Sequence, residues 1–221
     1  MKNQYLVGLM VMMAALVTGC ATDKTAAVTE QQAIEQANTP FAQGAITLAI
    51  QTDPDLNALN GIANSCTLLV IQAEQISTLN KLLSNPVMLK GVFSGAGAQG
   101  DILKIDRYAA MPGQSVTLHI DRSENTRHMA IVAGYYPFPQ KQHMAAIAIP
   151  VQTEKTGWWW RRTWQAELQP AALSMRLGSQ RISQFQGAKL VPITFMNNSA
   201  EAAPVSESES EVIPESENKE G

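Results

Sequence analysis

Between Ala45 and Gln51 the chain alternates, with Ile46, Leu48 and Ile50 on one parity and Thr47 and Ala49 on the other. That period of two predicts a strand with one buried face. Cys66–Ala73 is a predominantly apolar run, the pattern of a strand covered on both faces. Ser77-Thr78 predicts the cap of a short helix carrying Leu79, Leu82 and Leu83 and ending before Pro86. Alternation then resumes over 102–108, over 115–121 with Val116, Leu118 and Ile120 inward, and over 127–136 with Met129, Ile131, Ala133 and Tyr135 inward. Further strand patterns cover 144–151, 158–168 and 173–177, with 181–185 extending the last. Asp53-Pro54, Asn60-Gly61, Pro112-Gly113 and Pro137-Phe138-Pro139 punctuate the runs. Seven or eight short strands in about 145 residues predict an all-β, two-sheet β-sandwich with one short added helix.

The ends of the chain do not follow this pattern. Residues 1–19 begin with Lys2 and continue into an apolar stretch from Leu6 to Leu16. It suits the core of an export signal; a spanning helix needs ~20 apolar residues. Val17-Thr18-Gly19-Cys20 follows, small residues directly before a cysteine, and resembles the lipobox of bacterial lipoproteins. The resemblance implies a covalent lipid on the Cys20 thiol, cleavage before Cys20 and acylation of the freed amine. Ala21, in place of an Asp after the cysteine, implies sorting to the outer membrane. Two or more acyl chains suffice for stable anchoring. Residues 20–43 are small and polar and are expected to be a flexible tether; 44–187 are expected to be the sandwich, and 188–221 a disordered acidic tail.

Charge sharpens this division. Residues 198–221 hold seven Glu and one Lys, whereas 20–197 hold 14 Lys and Arg against 12 Asp and Glu. A nearly neutral body with an acidic tail gives no reason to expect a nucleic-acid partner, which usually needs a basic face. With Cys20 lipidated, Cys66 is a lone thiol, expected to be a buried small hydrophobe.

Candidate chemistry is sparse. His119, His128 and His143 have no metal-ligand spacing, and His119 lies on the parity opposite Leu118 and Ile120, which faces it to solvent. No metal and no cofactor are expected. Gly95-x-Gly97-x-x-Gly100 matches a dinucleotide fingerprint only in outline, with no helical pattern after it, and reads as a flexible loop. No nucleophile constellation or paired acid–base spacing is present, so the chain does not read as an enzyme. Trp158-Trp159-Trp160-Arg161-Arg162-Thr163-Trp164 has two readings: a strand with alternate Trp side chains in the core, or a surface patch for a membrane or partner. A third use of this cluster, lining a groove in a ligand- or lipid-binding carrier, is the alternative function.

The order of features carries a family resemblance. A lipobox and tether lead to a strand ending in Asp53-Pro54-Asp55-Leu56-Asn57-x₃-Gly61. An apolar strand, a small helix, the Pro112-Gly113 turn, the Val116–Ile120 strand and Ile131-Val132-Ala133-Gly134-Tyr135 follow. This resembles the outer-membrane lipoprotein of type VI secretion systems, the TssJ (VasD-like) family. The resemblance implies a transthyretin-like sandwich facing the periplasm of a Gram-negative bacterium. It also implies binding to the periplasmic region of a TssM-like inner-membrane protein, together with that protein's other membrane-complex partner. Carried over by position, the binding loop is Asp53, Pro54, Asp55, Leu56, Asn57, Asn60 and Gly61. Leu56, Leu59 and Ile62 on a turn-rich loop either dock onto a partner or fold back onto the sandwich edge.

Overall fold

The computed structural model describes residues 27–194 apart from 98, 99, 138, 160 and 161. The residues expected to be an export signal, Cys20, and the acidic residues after 194 lie outside the described residues.

Two four-stranded sheets face one another. β1 (Ala42–Thr52), β4 (Ser115–Arg122), β9 (Ala171–Leu177) and β10 (Ile182–Gln186) form one, in the order β10-β9-β1-β4. β2 (Cys66–Ala73), β3 (Ile102–Ala110), β5 (His128–Ala133) and β6 (Met144–Ala148) form the other, in the order β3-β2-β5-β6. All neighbours are antiparallel except β1 and β9. The alternation in β1 delivers Ile46, Leu48 and Ile50 to the inter-sheet core, where they meet Leu68, Val70, Met129, Ile131 and Leu173. This is the all-β sandwich that the strand pattern predicts.

The unbroken apolar run of β2 has the expected cause, two covered faces. Leu68 and Val70 point into the sandwich, while Leu69, Ile71 and Ala73 join a second cluster with Leu79, Leu82, Leu83, Leu89 and Val92. That second cluster is roofed by two helices where the pattern predicts one. α2 (Ile76–Leu83) starts ahead of Ser77-Thr78, with Gln75 at its N-cap and no side-chain cap. Pro86 does not simply stop a helix; it opens the next one, α3 (Pro86–Phe93), with the Asn85 Oδ1 accepting from the Val87 and Met88 amides at 3.0 and 3.1 Å. A proline in the first turn loses no helical hydrogen bond, so the same residue ends one helix and begins another. Gln72 is fully buried between the clusters, but its amide is satisfied by the Asp121 carbonyl, the Ser123 amide and the Thr126 hydroxyl.

Two expected strands are placed differently. The 144–151 run breaks after Ala148, and β7 (Val151–Thr156) pairs with β8 (Thr163–Leu168) as a ribbon outside both sheets. Trp158 and Trp159 therefore lie in the loop of that hairpin, not in a strand. The residues expected to be a flexible tether contain α1 (Glu30–Gln36), whose Ala33 is buried, followed by buried Ala37. The segment after 187, expected to be part of the tail, stays on the body as far as 194: the Val191 amide donates to the Ala146 carbonyl at 2.7 Å, and Ile193 is buried.

Candidate functional site

β1 defines two ends of the sandwich. The ten steps from Ala42 at one end to Thr52 at the other span at most about 33 Å at ~3.3 Å each. The loop carrying the predicted binding residues leaves from the Thr52 end. The turn after β3, the segment after β5 and the turn between β9 and β10 gather at that same end. The β7–β8 hairpin leaves from the opposite end, where the Gln169 amide donates to the Pro150 carbonyl and Ile149 bonds back to Arg127.

The 53–65 loop is a built structure. Asp53 is clamped by Arg176, whose Nε and Nη2 lie 2.8 and 2.7 Å from Oδ1, and its amide donates to the Leu177 carbonyl. Leu56 turns inward and is completely buried in the sandwich core. It belongs to the core, so its predicted place among partner-contacting side chains is corrected. Asn57 adopts the left-handed region at φ +48°, donates to the Ser65 carbonyl at 3.0 Å and accepts from the Tyr136 amide at 2.8 Å. Those bonds make it the staple that joins the loop to the segment after β5.

Beyond the staple the chain forms a miniature hairpin. Leu59 and Ile62 exchange both backbone hydrogen bonds, at 2.9 and 3.0 Å. Asn60 and Gly61 between them take φ +52° and +77°, the mirror-image turn that Asn-Gly favours. A tight turn of this hand throws the flanking side chains outward: Leu59 is 42% exposed and Ile62 69%. Pro54, Asp55, Asn60 and Gly61 are exposed as well.

The structure adds residues to this surface beyond the predicted binding loop. Tyr136 is 65% exposed and shares with Leu59 a depression of about 290 Å³ that Asn57, Gln140 and Gln180 also line. Met111, 54% exposed, belongs to the β3–β4 turn whose carbonyl accepts from Thr52. The signal for Tyr136 was the aromatic pair before Pro137. Its neighbour Tyr135 takes the inward parity, and its hydroxyl donates to the Gly178 and Arg181 carbonyls at 2.9 and 3.0 Å.

Beneath the surface, His143 is buried at 4.7 Å from the Tyr135 ring. Its Nδ1 accepts from the Gln140 amide at 2.8 Å, so Nε2 carries the proton and donates to the Gln180 carbonyl at 2.8 Å. Burial holds its pKa below the ordinary imidazole value, against the pull of the Gln180 bond. Burial also pushes the Tyr135 phenol well up, and the Cys66 thiol up to about 12. These groups fix the floor of the loop and stay uncharged. Of the other histidines, His119 is exposed, as its parity predicts. Among the described residues, no three His, Cys, Asp or Glu side chains converge as a metal site.

Two of the four tryptophans, Trp158 and Trp159, are 66% and 74% exposed at the hairpin tip. Trp164 is half-buried and lines a groove of about 520 Å³ between α1 and the hairpin. Among the described residues the arrangement offers a polar groove with one tryptophan wall, not a Trp-lined cavity.

No curated protein matches this chain in sequence. Among solved structures, the TssJ1 lipoprotein of Pseudomonas aeruginosa is similar at 18% identity, covering 70% of this chain and 99% of that one, with a TM-score of 0.44. Serratia marcescens Lip, a membrane-bound component of the type VI secretion system, is similar at 16% identity over 67% of this chain and 98% of that one, with a TM-score of 0.45. A structure described as the TssM C-terminal domain from EAEC aligns at 13% identity over 67% and 98%, with a TM-score of 0.44. The profile of the family described as "Type VI secretion lipoprotein, VasD, EvfM, TssJ" matches residues 44–173, more than half of the chain, from β1 to the first residues of β9. By that match, the chain belongs to the type VI secretion lipoprotein family.

Proposed function

We propose that this lipoprotein is a non-enzymatic assembly component of a type VI secretion apparatus. It is lipidated at Cys20, held at the outer membrane and facing the periplasm. There it docks the periplasmic region of a TssM-like inner-membrane protein through the end of the sandwich that carries Leu59, Ile62, Met111 and Tyr136. The observation that carries the reading is polarity. The chain leading back to Cys20 leaves at one end of β1, and the exposed apolar turn sits at the other, at most about 33 Å away along the strand. A protein tethered by its N-terminal side would then present that turn away from the membrane.

A stable interface needs about 800 Å² from each partner, more than one small hairpin supplies. Met111 and Tyr136 extend the apolar surface at the same end. Asp53 and Asn57 act indirectly, by holding the turn. The test is co-purification from membranes of a strain expressing the TssM-like protein. Leu59→Asp with Ile62→Asp is expected to abolish capture while the circular dichroism and melting temperature stay at the wild-type values. Undiminished capture by that double variant would remove the loop from the interface.

A further inference from the structure

The β7–β8 hairpin and α1 form a single projecting unit, and α1 runs along it in a fixed direction. The Trp164 amide, one residue from the hairpin loop, donates to the Val28 carbonyl at 3.3 Å. Halfway down, the Thr153 hydroxyl donates to Glu30 Oε1 at 2.8 Å. At the base, Arg127 donates to the Ile34 and Ala37 carbonyls at 2.9 and 2.7 Å. The chain thus arrives from the N-terminal side at the hairpin tip and enters the sandwich at the hairpin base.

The composition of that tip is unusual for a surface. Trp158 and Trp159 are both largely exposed, and the cations around them are exposed Lys155, placed 5.2 Å from the Trp164 ring centroid, and exposed Arg162. The acidic side chains of the ribbon, Glu154 and Glu167, sit below the loop, in the wall of the groove. Only seven residues separate Cys20 from Val28, a span of at most about 28 Å even when fully extended. The tip therefore lies within reach of whatever surface holds Cys20.

We propose that the tip of the β7–β8 hairpin is a membrane-contact site: Trp158 and Trp159 enter the headgroup region of the bilayer, and Lys155 and Arg162 engage lipid phosphates. The placement rests on the reading of Cys20 as the lipidated residue. Tryptophan combines a large apolar ring with a polar N–H and favours the membrane–water interface. Cations beside it gain from anionic lipid. The contact supplies what acyl chains cannot. Acyl chains attached through a short linker fix distance but leave orientation free. A second point of contact fixes tilt, and holds the Leu59–Ile62 turn directed away from the bilayer.

The test uses the full mature chain carrying Cys20→Ser, so that binding does not depend on acylation. It is mixed with vesicles of phosphatidylethanolamine with phosphatidylglycerol as the minor anionic component. Binding with a blue shift of Trp emission, and quenching by lipids brominated close to the headgroup, is the expected result. Trp158→Ser with Trp159→Ser should weaken partitioning on the order of tenfold. Neutralising Lys155→Gln or Arg162→Gln should each weaken it about fivefold, and less on neutral phosphatidylcholine. All variants alter exposed side chains, and an unchanged melting temperature confirms that they fold. Absence of vesicle binding, or binding indifferent to the Trp pair, overturns the proposal. So does a Trp-pair variant that changes only self-association or capture of the TssM-like protein, which would make the tip a protein contact. Metabolic labelling of the wild type with palmitate tests Cys20 separately, so failure of the lipidation reading is distinguishable from failure of the hairpin contact.

Discussion

Arg127, just before β5, donates from its two terminal guanidinium nitrogens, Nη1 and Nη2, to the Ile34 and Ala37 carbonyls, tying the last turn of α1 to the sandwich. The Ile34 carbonyl also accepts from the Ala37 cap amide at 3.3 Å, and a cation at a helix C-terminus meets the negative end of its dipole. The bond determines where the N-terminal segment joins the body, at the Ala42 end of β1. Arg127→Met should lower stability by about 1.5–3 kcal/mol, the usual contribution of a hydrogen bond to a charged group. The loss should concentrate in α1. Hydrogen exchange of residues 30–37 should accelerate in the variant while the β1 and β2 amides stay protected; uniform acceleration would show that Arg127 supports the whole fold instead.

Leu56 and Ile62 sit six positions apart in one loop and predict opposite phenotypes. Leu56 is buried without residue in the core, so Leu56→Ala should cost about 2–5 kcal/mol through lost transfer energy and a cavity. Ile62→Asp, at a position 69% exposed, should stay within about 0.5 kcal/mol of wild type and act on partner capture alone. Urea titration alongside a pull-down separates the two.

The lowered pKa of buried His143 makes part of the stability pH-dependent. In the folded protein the ring stays neutral to lower pH than in the unfolded chain, whose value is about 6.5. The unfolded state then binds the extra proton, so the contribution is complete above about pH 6.5 and lost as pH falls through the folded value. Denaturant midpoints should drop more steeply between about pH 7 and pH 5 for wild type than for His143→Gln. Equal slopes would assign the pH dependence elsewhere.

Cys66 is fully buried, and its thiol is pushed up to about 12. Since the thiolate is the reactive species, the native protein should resist alkylation near pH 8 and react in the presence of denaturant. Rapid labelling under native conditions would mean that the end of β2 opens on the labelling timescale.

Much of the architecture was legible in the residues because strand alternation reports burial directly. The inward sets of β1, β4 and β5 and the two-sided burial of β2 follow from parity alone. The tight turn at Asn60-Gly61 follows from the backbone freedom of that pair. The candidate site was legible only in position. Leu56, Leu59 and Ile62 are equally apolar in the sequence, and a pattern cannot tell which of them closes on a core contributed by strands far away in the chain.

The same distinction governs the tryptophans. Local sequence established that Trp158–Trp164 is a concentrated apolar and cationic cluster, and it offered core and surface with similar force. Tertiary pairing decided between them for Trp158 and Trp159: the register of Val151–Thr156 against Thr163–Leu168 leaves both in the connecting loop, where no second sheet covers them. Sequence by itself determined the alternating strands of the two facing sheets, the turn chemistry and the family resemblance, because each depends on neighbouring residues. Only the tertiary structure decided that the N-terminal segment folds back as α1 along the β7–β8 hairpin. That relationship arises from hydrogen bonds between residues more than ninety positions apart, such as Ile34 with Arg127, and no local pattern encodes their distance.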